Sequence, residues 1–114
     1  MQLYPAAVAH GLADARRVMA RGRPVTLLSA PGAGVYAGCL WWRALVARVG
    51  REYPDVPMTD VLDCADGTGA ALAALRIGLP RLVLAAEAPS RLLLELIARR
   101  QGGELLCFRP LEIR

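Results

Sequence analysis

Gly32, Gly34 and Ala37 stand in the spacing G-x-G-x-x-A, directly after the apolar run Pro24-Val-Thr-Leu-Leu-Ser29. In a strand–turn–helix unit, glycines so placed let backbone N–H groups approach a phosphate, and the positive end of the following helix holds it. The expected ligand is a small anion over Gly32, Ala33 and Gly34. Two features argue against a full dinucleotide site. Pro31 removes one N–H from the turn, and the acid expected about 20 positions on is missing, since Asp63 lies 29 beyond Gly34.

Open α/β sheets bind ligands at the carboxyl ends of their strands. The residues expected there are Ser29, Asp63, Cys64, Asp66, Glu87 and Arg109. Asp63 and Glu87 are candidates for an acid–base pair, or for oxygen ligands to a divalent metal. Each also has a structural explanation. Asp66 and Thr68 suit the cap of a following helix, Cys64 suits a strand as a small hydrophobe, and Asp63 and Glu87 suit ion pairs with Arg109 or Arg81. His10 precedes Asp14 by one helical turn, but Ser29 and Ser90 are the only serines and no triad follows.

Composition excludes some chemistry. All 14 basic residues are arginine, and neither lysine nor asparagine occurs. There is therefore no Schiff-base lysine, no Walker-type phosphate loop and no N-glycosylation acceptor. Cys39, Cys64 and Cys107 are odd in number, well separated and set in apolar segments, which fits reduced, mostly buried thiols of a cytoplasmic chain. With no CxxC pair and one histidine, a zinc site is not expected. Net charge is +4, with Arg16, Arg17, Arg21 and Arg23 the densest cluster. Lacking aromatic platforms or a recognition helix, that cluster reads as a solvated helix face rather than a nucleic-acid patch. The uncharged run from Pro24 to Trp42 is 19 residues long, yet Pro31, Gly32, Gly34 and Gly38 break it, so no membrane span is expected.

The elements that must position these residues alternate along one domain, 1–114. The spacing predicts an amphipathic helix over about 5–21, with Val8, Leu12, Ala15 and Met19 on one face. Strands follow over about 24–30, 59–64, 81–86 and 104–108, with helices over about 33–51, 68–77 and 90–101 between them. Ser90 is the candidate N-cap of the last helix, and Arg91, Glu95 and Arg99 are spaced for i,i+4 pairs on its solvent side. Residues 111–114 are unassigned. Four apolar strands joined by helices imply a three-layer Rossmann-like domain with a parallel sheet in the order 2-1-3-4.

Trp42 shares a helix face with Val46 and Val49 and should meet the sheet. Tyr36 and Leu40 fall on the outer side among arginines, where an apolar strip fits a homo-oligomer contact. Hydrophobic residues make up 55% of the chain and mean hydropathy is +0.36, high enough to suggest apolar surface buried in an oligomer. Three functional readings stand open. The first is a non-enzymatic binding or regulatory module for a small anion, its cofactors undefined. The others are a small acid–base enzyme using Asp63 and Glu87, and an oligomeric scaffold without ligand.

Overall fold

The computed structural model describes residues 3–113. Its first element departs from the amphipathic helix that the sequence spacing predicts. Ala6–Ala9 is a strand, β1, and the helix behind it, α1, covers only Leu12–Met19. Alanine favours helix, but β1 pairs in parallel register with β2, Val25–Ser29, from Ala6 opposite Thr26 to Ala9 opposite Ser29. Short side chains let α1 lie close over β1, where Ala7, Ala9 and Ala15 are buried. Tertiary pairing outweighs a propensity of a few tenths of a kcal/mol per residue.

Beyond β2 come α2, Ala33–Tyr36, and α3, Cys39–Glu52, then β3, Met58–Asp63. The single helix expected over 33–51 is interrupted at Gly38, whose φ of +90° is a left-handed value that few side chains tolerate. The chain continues through α4, Thr68–Arg76, β4, Arg81–Val83, α5, Arg91–Arg100, and β5, Glu104–Leu106. All pairings are parallel, and the sheet order is β1-β2-β3-β4-β5.

This corrects the expected topology. The sheet has five strands rather than four, and its order never reverses, so it has no topological switch point. Successive parallel crossovers of one hand, all stepping in one direction, place every helix on the same face. The packing agrees. Ala7, Leu27, Leu62, Leu82 and Leu84 from the sheet form one core with Ala15, Met19, Trp42, Val49, Leu75 and Leu94 from the helices. The helices and sheet therefore make two layers, not three.

The other face holds a small cluster of Ala6, Leu28, Val61 and Val83 with Leu3, Val8 and Leu106. Leu28 and Val61 are fully buried there without a helix over them. Residues 107–113 return from β5 at one edge of the sheet to β1 at the other. Glu112 bridges Ala6 in parallel fashion, and the Ile113 N–H donates to the Ala6 carbonyl at 2.8 Å. No described helix is long and apolar enough to cross a membrane.

Candidate functional site

Ser29 ends β2 and Asp63 ends β3, so neighbouring parallel strands bring them together at the carboxyl edge. The Asp63 N–H donates to Ser29 Oγ at 2.9 Å, and that hydroxyl donates to the Ala30 carbonyl at 3.1 Å. Arg109 arrives from the returning tail. Its Nη1 donates to Asp63 Oδ2 at 2.8 Å and to the Ser29 carbonyl at 2.9 Å, while Nη2 lies 3.6 Å from Glu112 Oε1. The remaining Asp63 oxygen, Oδ1, accepts the Ala65 N–H at 2.7 Å, an aspartate turn that holds Ala65 at a left-handed φ of +51°. Of the explanations open in the sequence, the Asp63–Arg109 ion pair is the one formed.

Both Asp63 oxygens are thus engaged and the residue is buried. Glu87, its expected acid–base partner, is exposed in the loop after β4, and neither a hydrogen bond nor an ion pair joins the two. Asp66 is exposed as well and does not cap α4. Gly67 occupies the N-cap without a side-chain bond, and Thr68 Oγ1 donates instead to the Pro89 carbonyl at 2.6 Å. Ser90 holds the N-cap position of α5 at a left-handed φ of +61°, again without a side-chain cap. Among the described residues no group of three His, Cys, Asp or Glu is placed to hold a metal.

The glycine turn has a packing role. Gly32 adopts φ +71° and leads into α2, which is only four residues long; Ala33 and Gly34 are buried against β3. A Cβ on Gly34 would lie 2.7 Å from Cys64 Sγ and 3.1 Å from the Asp63 carbonyl. Space that a phosphate-binding turn leaves for its ligand is filled here by the end of β3. Burial pushes the Cys64 thiol up to about 12, with the neighbouring Asp63 charge adding to the effect, so it remains protonated and inert. Cys107, by contrast, is exposed.

Trp42 is fully buried, as its position on the helix face implies, and its indole N–H donates to Asp60 Oδ2 at 3.0 Å. Asp60 escaped the sequence reading. The available signal was strand alternation, which sets it on the core side between Met58 and Leu62. Burial raises its pKa, opposed by the Trp42 bond and the Arg81 charge. Arg91 and Glu95 do pair, but Arg91 lies inward rather than toward solvent, and its Nε donates to the Leu84 carbonyl at 3.1 Å.

Every helix starts near the carboxyl edge, because each follows a strand that ends there. Around this edge stand Val35, Tyr36 and Leu40 from α2 and α3, Leu92 and Leu93 from α5, and Phe108 from the tail, all exposed. Tyr36 and Leu40 were anticipated. The leucines of α5 were legible as Leu92-Leu93-Leu94, an apolar run wider than one helix face. The helices end at the opposite, amino edge, in Arg51, Arg76, Arg99 and Arg100, which Arg21 and Arg23 join from the α1–β2 loop. None of these six arginines enters an ion pair among the described residues. Compared with family models, curated proteins and solved structures, the chain matches none.

Proposed function

We propose that this chain is a non-catalytic binding module whose carboxyl edge docks against a second copy of itself. The observation that supports the reading is the ring of exposed apolar side chains at that one edge, with Tyr36 71%, Leu92 78% and Phe108 82% exposed. Apolar patches of this kind mark interaction sites. Charge favours a second copy meeting edge to edge. Each chain carries a net +4, and a two-fold contact between carboxyl edges keeps the unpaired arginines at the two far ends.

Catalysis finds less support, since Asp63 has no free oxygen to act as a base and Glu87 stands alone. An anion over Gly32–Gly34 also has less support, because Gly34 is glycine for contact with Cys64. Sedimentation of wild type, Leu40→Arg and Leu92→Arg tests the reading. We expect a dimer for wild type and monomers for both variants, with unchanged circular dichroism and melting. A wild-type chain that stays monomeric at the highest reachable concentration would overturn it.

A further inference from the structure

At the amino edge, between the end of α1, the start of β2 and the returning tail, lies a cavity of about 230 Å³ lined by Val18, Arg21, Arg23, Pro24, Val25 and Ile113. A second, separate hollow shares Arg23, Pro24 and Ile113 in its lining and reaches Pro5. The walls of the first are mostly apolar, and among the described residues the charged groups that line it are the guanidiniums of Arg21 and Arg23, with no carboxylate. Two other arginines of α1 are matched. Arg16 donates to both Glu52 oxygens, at 2.8 and 2.7 Å, and Arg17 pairs with Asp14. The last carbonyls of α1 are also engaged, Val18 by the Arg21 N–H and Met19 by the Gly22 N–H, so they leave the guanidiniums to other acceptors.

We infer that this cavity binds a small organic anion, a carboxylate or phosphate ester with a compact apolar body. The head group would meet Arg21 and Arg23, which bind such oxygens in a forked geometry, and the body would rest on Val18, Pro24 and Ile113. The volume suits a single ring or a short acyl chain rather than a nucleotide. The site lies at the opposite end of the sheet from the glycine turn and from the apolar ring.

Benzoate is a suitable probe, with benzamide as its neutral isostere and acetate as the head group alone. Titration followed by backbone NMR should give saturable shifts with benzoate at Val18, Arg21, Arg23 and Ile113, and at least tenfold weaker binding of benzamide and acetate. Arg21→Gln/Arg23→Gln should weaken benzoate at least tenfold, with the folded spectrum retained because both residues are exposed. Leu40→Arg should leave it unchanged, which separates this site from the dimer contact. Equal binding of benzamide, benzoate shifts centred on Gly32–Gly34, an unaffected double variant, or no saturable shift with benzoate would each overturn the inference.

Discussion

The two edges of the sheet solve opposite problems. At the carboxyl edge, loops close over one another. Ser29, Asp63 and Arg109 form a buried polar lattice, Gly34 packs against Cys64, and apolar side chains stand around the outside. At the amino edge, helices end in solvated arginines and the principal cross-helix link is the exposed pair of Arg16 with Glu52. One end is held by buried contacts that engage both Asp63 oxygens and Arg109 Nη1. The other keeps Arg21, Arg23, Arg51, Arg76, Arg99 and Arg100 outside any ion pair among the described residues. An edge with many strand-end residues is thus not automatically an active site; what counts is whether their donors and acceptors remain unused.

The largest expected effect lies in the carboxyl-edge lattice. Arg109→Ala leaves the buried Asp63 carboxylate without its cation and frees the tail from the sheet, and should cost about 3 kcal/mol in urea unfolding. A loss below about 1 kcal/mol would show that Asp63 is solvated when the tail moves, and the contrast between the edges would collapse.

A smaller effect compares two glycines. Gly34→Ala should cost about 2 kcal/mol by forcing β3 and α2 apart. Gly22→Ala, at the amino edge, meets open space and suffers only from its φ of +71°, at about 1 kcal/mol. Equal losses would mean that close packing is not what distinguishes the carboxyl edge.

The smallest effect concerns acid. The Arg16 hydrogen bond, followed by Arg48, holds Glu52 down to about 2 from an ordinary value of 4.5. A folded value below the unfolded one contributes stability that is present above pH 4.5 and lost as pH falls toward 2. Glu52 is exposed, so the effect on overall stability should be slight. NMR titration of its carboxyl should give a midpoint near 2 in wild type, moving back toward 4.5 in Arg16→Gln. An unmoved midpoint would remove the cross-helix link from the amino edge.

Local pattern determined much of this molecule. Alternation of apolar runs with glycine-punctuated helices marked β2 through β5 as parallel strands, Trp42 as core, and Ser29, Asp63 and Arg109 as neighbours at one edge. These rest on periodicity and strand direction, which nearby residues specify. Tertiary structure decided the rest. Ala6–Ala9 is a strand because β2 offers a partner and α1 a close neighbour, and an alanine run carries no period that announces this. β1 takes the edge of β2 that the order 2-1-3-4 reserves for β4, and β4 pairs with β3 instead, so the order runs 1-2-3-4-5 with the helices on one face. The same folding spent Asp63 on Arg109 and Gly34 on Cys64. Whether a carboxylate or a glycine is free to serve a ligand depends on residues tens of positions away in the chain, and only the packed structure brings them into contact.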